Sequence, residues 1–379
     1  MTEINQFLNQ IYGHSKTKDL LSGFIASGKI PHALLFSGID GIGKDHLAIR
    51  FAQAINSNGI KDSTSLKIII SKINNLEEPY IKYIIPLPRA KNETDETGPT
   101  EKFSDDEIEL LREELQKKIK NPYYRFILPK ANNIKISSIR DINKFLSFDF
   151  SELKFRVIII SDAHLMNEQA QNALLKNLEE PPANVIFILT TSQPSMLRET
   201  ILSRCWRINL EPLSNENLIA VLTEHFTMDN KLAENIASFA GGSIQTALKL
   251  SEMDFNNLRE KTISILRYSF GKKFHSAFEV LNSILADEPA QNLQVIIKMI
   301  ITWINDLNRF KHNVNTFFYK DHLDTLQKFH QKFPDRELND LTFQLDNLST
   351  LIKKNIHTNL ITSNLVFQLS SIVTSKSAE

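Results

Sequence analysis

The stretch Gly38-Ile39-Asp40-Gly41-Ile42-Gly43-Lys44-Asp45 carries, with one exception, the residue types that bind phosphate. Glycines at 38, 41 and 43 let backbone amides turn inward and approach an anion with no Cβ in the way. A helix starting after them points its positive end at the same anion. Lys44 stands where an ammonium reaches the outer phosphates of a nucleotide, and the next position normally supplies a Ser or Thr hydroxyl to magnesium. Asp45 occupies that position. Two chemistries are open to it. Its carboxylate adds like charge at the anion's place at a helix start, or it ligates magnesium directly. Weakened magnesium-nucleotide binding is the expected outcome.

A second group of candidates follows the apolar run Val157-Ile158-Ile159-Ile160, which leads into Ser161-Asp162-Ala163-His164. A nucleotide hydrolase of this kind ends such a strand in two acidic residues, one for the metal and one to polarise the attacking water. Asp162 alone remains, with Ser161 in the first place. His164 offers a base in principle, but a histidine at a strand end is more often structural, and it is read so.

The elements that must hold these residues follow from periodicity. Ala33–Phe36 is a short buried strand leading into the glycine loop, and Leu47, Ala48, Phe51, Ala52 and Ile55 then recur at helical spacing. After the second strand, Ala170, Ala173, Leu174 and Leu178 share one helical face, which Pro181-Pro182 ends. A third strand runs from Val185 to Leu189 and closes in Thr190-Thr191-Ser192. Strands apolar on both faces and separated by helices imply a parallel sheet covered by helices, an α/β fold.

Residues 58–122 interrupt this rhythm with a polar tract and then a helix. Ser104 and Glu107 form a capping box, and Glu113–Lys117 and Glu114–Lys118 are spaced as i, i+4 pairs. The segment reads as a solvated surface insert. Beyond residue 211 strand signals vanish. The chain is therefore divided into an α/β domain over 1–210, a small helical lid over 211–252 and an all-helical domain over 253–379.

Lys plus Arg equals Asp plus Glu at 44 each, so overall charge does not hold this 379-residue chain to nucleic acid. One cysteine, Cys205, excludes an internal disulfide framework or a four-thiolate zinc site. No metal site is expected. The N-terminus lacks the pattern of a secretion signal, and no apolar run approaches a membrane span. A cytoplasmic location is expected.

Four segments in order resemble the bacterial clamp loader of DNA polymerase III, within the AAA+ superfamily: IYGH (11–14), GKIPHALLFSGIDGIGK (28–44), NALLKNLEEPPANVIFILTT (172–191) and ILSRC (201–205). The likeness covers about residues 5–250. It is weaker in the helical C-terminus, where NIHTNLITSNLVFQL is similar to the last helix of the family's collar. Such loaders contain ATP-hydrolysing motor subunits, gamma or tau, and a non-hydrolysing delta-prime subunit. A motor has Thr or Ser at position 45, Asp-Glu at 161 and 162, and Arg where Gln245 stands in Gly242-Ser243-Ile244-Gln245. Thr191 falls at a further nucleotide-sensing position. Arg204 of Ser203-Arg204-Cys205 is retained, and the resemblance makes it a finger reaching a neighbour's ATP. The family's four-cysteine zinc module is missing.

The resemblance thus implies a delta-prime-like stator. It requires no cofactor of its own, and any binding of ATP or ADP with magnesium is weak or absent. Its partners are the gamma/tau motors, the delta subunit, the sliding clamp and, through the hetero-oligomer, primed DNA. The main alternative is a working AAA+ motor in which Asp45 and Asp162 serve the metal. A third is an interaction scaffold outside replication.

Overall fold

The computed structural model describes residues 2–373 except 59, 61, 148–151, 287, 315–316, 335–337 and 354–355. Asn355, the C-terminal residues 374–379 and two positions of the 58–122 segment therefore lie outside the described residues. The chain forms two compact units, one of residues 1–228 and 241–246, the other of 229–240 and 247–379.

In the first unit five strands are assembled: β1 Ala33–Ser37, β2 Ile81–Ile84, β3 Arg156–Ile160, β4 Val185–Thr191 and β5 Trp206–Asn209. Their order is β2-β3-β4-β1-β5 and every pairing is parallel. Parallel strands need crossovers, and helices supply them: α3 Lys44–Ser57, α4 Ser63–Asn74, α5 Asp105–Lys120, α6 Ile136–Ser147, α7 Glu168–Glu179 and α8 Glu199–Leu202, with α1 Thr2–Asn9 and α2 Ser15–Ser27 before β1 and α9 Asn215–Ala220 after β5. One core joins Leu34, Phe36, Val157, Ile159, Ile186 and Ile188 to apolar residues of α1–α4. The alternate residues Leu35, Ile158, Ile160, Phe187 and Leu189 pack on the other face against α6, α7 and α8. Every residue of β4 is buried, which is why that strand reads as a continuous apolar run. This is the helix-covered parallel α/β sheet, with its glycine loop after the interior strand β1, that the AAA+ resemblance implies.

The second unit contains α10 Asn230–Ala240, most of α11 Ile244–Glu252, α12 Phe255–Phe270, α13 Phe274–Ile284, α14 Pro289–Lys311, α15 Leu323–Lys332, α16 Asn339–Lys353 and α17 Thr358–Ser371. Its described residues include no strand. Trp303, Ile296 and Leu307 of α14 are wholly buried, as are Leu365 and Leu369 of α17. The segment 211–252 is divided between the units rather than forming a body of its own.

Two strands escape the periodicity. β5 (Trp-Arg-Ile-Asn) sits at a sheet edge with three of its four residues exposed, so it shows no apolar run. β2 lies inside the 58–122 segment, where the surrounding polarity hides it. That segment is not a surface ornament. It supplies an edge strand and α4, and α5 begins with the expected Ser104–Glu107 capping box. The expected Glu114–Lys118 pair is replaced: Glu114 Oε1 accepts from Lys117 at 2.8 Å, and both Glu114 and Lys118 are buried. Ile85, Leu87 and Leu128 form a small apolar cluster with Phe103, Leu110 and Leu111.

Candidate functional site

The phosphate-type loop lies between the end of β1 and the start of α3. Gly38 N donates to Thr191 O at 3.1 Å, tying the loop to the end of β4. Gly41 and Gly43 have φ of +75° and +90°, a region that L side chains rarely adopt. Gly41 is also crowded: a Cβ there would stand 2.4 Å from Gln245 Cβ and 2.6 Å from Ser243 Oγ. The 241–246 segment clasps the loop through Ile244 N to Gly41 O (2.9 Å) and Ser243 Oγ to Asp40 O (2.9 Å).

Lys44 does not project into open space. Its Nζ donates to Gly38 O at 2.9 Å and Ile39 O at 2.8 Å, the carbonyls of its own loop. Burial holds its pKa below the usual lysine value, partly offset by Asp40, Asp45 and Asp162.

Asp45, the second residue of α3, is 17% exposed in its side chain. Its Oδ2 accepts from Tyr83 Oη at 2.9 Å and Ser161 Oγ at 2.8 Å, and its Oδ1 from Thr190 Oγ1 at 2.7 Å. Lys118 Nζ lies 3.4 Å from Oδ2. Burial pushes the Asp45 pKa up, but Lys118 and the three hydroxyls together leave it below the usual value. The carboxylate is held by donors from β2, β4 and α5 and by Ser161, just after β3.

Asp162 follows β3 in a left-handed conformation (φ 51°, ψ 48°), one of the strained positions that cluster at sites. Burial, then Asp45, raise its pKa to about 6, against the opposing pull of Arg125. A raised folded-state pKa favours the folded form while the carboxyl is protonated. Stability from this group is therefore full below 3.8, the ordinary aspartate value, and is lost as pH rises through about 6. Asp162→Asn should remove that slope and stabilise the unit at neutral pH by up to about 3 kcal/mol. Urea unfolding of both proteins between pH 4 and 8 checks it.

Thr191 turns away from the loop. Its hydroxyl contacts His164 Nδ1 at 3.2 Å and accepts from Gln193 N at 3.0 Å. Thr190, not Thr191, meets Asp45. His164 is buried, in keeping with a structural role.

Gln245 lines the loop cavity together with Asp40, Gly41, Gly43, Lys44, Asp45 and Asp162. The remaining walls are Lys118, which the sequence suggested only as a surface partner of Glu114, and the run Pro122-Tyr123-Tyr124-Arg125, which sequence reasoning did not place at the loop. A Cβ on Gly43 would be 2.9 Å from Tyr123 Cε1. The space left is about 60 Å³, the room of a water or two at ~30 Å³ each. Small-molecule sites measure some 300–1,000 Å³. A magnesium-nucleotide does not fit among these side chains as they stand. Among the described residues no group of three or more His, Cys, Asp or Glu is arranged to hold a metal, and no helix is long and apolar enough to cross a membrane.

Arg204 is not part of this cavity's lining. Just beyond α8, its side chain is 34% exposed and pairs with Glu179 Oε1 at 2.7 Å, while Nη1 donates to Thr200 O at 2.9 Å. Its guanidinium is displayed at the surface.

A family profile described as "DNA polymerase III, delta subunit" matches residues 13–214, more than half of the chain and all of the loop, sheet and Arg204. The chain belongs to that family. This family member is 27% identical over 257 residues to the DNA polymerase III gamma subunit of Buchnera aphidicola subsp. Acyrthosiphon pisum, covering 66% of this chain and 59% of that protein. It is 29% identical over 251 residues to the tau subunit of Bacillus subtilis, covering 65% and 37%. To delta-prime of Escherichia coli it is 31% identical over 151 residues, covering 39% and 45%. The chain thus spans less than two thirds of each of these relatives. Similarity to gamma and tau extends further along this family member than similarity to delta-prime.

Proposed function

We propose that this chain is a delta-prime-like, non-hydrolysing subunit of a DNA polymerase III clamp loader. In this reading it is a stator that helps place the sliding clamp on primed DNA. The observation that carries the reading is Asp45. At the position where a motor needs a magnesium hydroxyl, it is a carboxylate held by Tyr83, Ser161 and Thr190. Lys44, bound to its own loop, and Gln245, in place of an arginine, agree. The nucleotide-handling groups are out of use, whereas Arg204 is at the surface, where a neighbouring motor subunit's phosphates can meet it. The proposed partners are gamma/tau motors and a delta subunit in a cytoplasmic hetero-oligomer. In it α12–α17 provide the collar contacts, and the chain needs no cofactor of its own.

The longer matches to gamma and tau favour a second reading, an ATP-hydrolysing motor. Steady-state hydrolysis separates the two. The purified chain should show no turnover alone and should raise activity when mixed with motor and delta subunits. Robust turnover by the chain alone would establish the motor.

A further inference from the structure

Lys118 ends a chain of observations that the stator reading does not need. It lies on α5, within the segment between β2 and β3. Its side chain is 5% exposed, and its ammonium has three partners. It donates to Pro122 O at 2.9 Å and to Tyr124 O at 2.8 Å, and stands 3.4 Å from Asp45 Oδ2. One cation thus joins the loop's altered residue to the chain that leaves α5. That chain runs over the loop. Tyr123 stacks edge-on against His46 at 5.0 Å and against His225 at 5.6 Å between ring centroids, and it closes over Gly43. Arg125 reaches the same cavity, near enough to Asp162 and Lys44 to affect both pKa values. The cavity's charges cancel within the protein: Asp40, Asp45 and Asp162 face Lys44, Lys118 and Arg125. A polyanion finds no uncompensated positive charge there.

We infer that the loop is self-liganded: the Lys118 ammonium serves as a built-in cation where a loop of this kind holds magnesium, and Pro122–Arg125 is a tethered plug in the nucleotide's place. This rests on the reading of the loop as non-hydrolysing and explains how it stays ordered without ligand. In a working loop the side chain at position 45 turns to a divalent cation; here it turns to an ammonium that cannot dissociate. The first unit then keeps one loop conformation whatever the nucleotide concentration. A stator needs that rigidity, because its finger must not move with its own hydrolysis cycle.

The test is a double-mutant cycle on the full chain, read as thermal unfolding midpoints. Removing one member of a buried ion pair strands the other charge, whereas removing both need not cost much. Lys118→Met is expected to lower the midpoint of this unit by about 10 °C, and Asp45→Asn by less. The double variant should recover most of the Lys118→Met loss. If a single variant fails to fold while the double folds, the coupling is equally shown. A double variant no better than the poorer single overturns the inference.

Magnesium chloride alone supplies the second arm. It should raise the midpoint of Lys118→Met, by entering the place the ammonium left, and leave wild type and double variant unmoved. No rescue overturns the equivalence of ammonium and metal, and magnesium-dependent binding of a fluorescent ADP by wild type overturns the plug. These outcomes are independent of Arg204. A loader whose ATPase ignored Arg204 would remove the stator reading and leave this cycle intact.

Discussion

On the proposed finger role, Arg204→Ala is expected to lower ATP turnover of the assembled loader about a thousandfold, within the range for arginine fingers. The assembled loader should lose activity without losing subunits. The side chain's contacts within the chain are few: the ion pair to Glu179 and a bond to Thr200 O. An exposed pair of this kind contributes roughly 0–1 kcal/mol. The variant should therefore fold and assemble as wild type does, which gel filtration of the reconstituted complex establishes before activity is compared. Arg204→Lys tests the geometry. It keeps the charge but loses the planar fork that grips phosphoryl oxygens, and should recover little. Full activity with Arg204→Ala in a verified complex would remove the finger.

The second large effect is on stability. Gly41→Ala places a methyl group 2.4 Å from Gln245 Cβ and 2.9 Å from Gln245 N, at a φ of +75°. The backbone conformation costs about 1–3 kcal/mol, and pushing apart a packed contact about as much again. A loss of roughly 3–5 kcal/mol is a large part of the 5–15 kcal/mol that holds a typical domain together. Denaturant unfolding should show it as a lower midpoint with little change in slope. Gly23→Ala is the control. A Cβ there meets nothing within 4 Å, and Gly23 lies inside α2, where alanine is the better helix former. It should be neutral or slightly stabilising. Equal midpoints for Gly41→Ala and wild type would mean that the 241–246 segment does not clasp the loop as described.

These two effects mark different levels of the molecule. In the proposed stator reading Arg204 acts on a neighbour, so its loss should be silent in the isolated chain. Gly41 acts on the loop's own packing, so its loss is visible without any partner. Lys118 stands between them: it leaves the fold's architecture alone but sets the state of the loop that the architecture presents.

The sequence by itself determined the central sheet and the identity of the loop. β1, β3 and β4 are buried on both faces, so their apolar runs are continuous and read directly. The glycine spacing marks the turn into α3, because few other residues take its backbone angles. Asp45 and Ser161 were legible as departures from the phosphate-loop and acidic-pair patterns, and Gln245 as a departure from the pattern that the clamp-loader resemblance implies. Only the tertiary structure decided what those departures do. Asp45 meets Tyr83, Ser161, Thr190 and Lys118, which come from positions 38, 116, 145 and 73 residues away along the chain. No local periodicity encodes such a meeting. β5 was hidden for a related reason: an exposed edge strand has no second buried neighbour to demand an apolar run. β2 is largely buried, but Lys82 breaks its apolar run and polar residues surround it. Lys118 was the least legible. On a charged helix beside Glu113 and Glu114 it reads as one more solvated lysine, since helical spacing reports which residues share a face but not what that face is laid against.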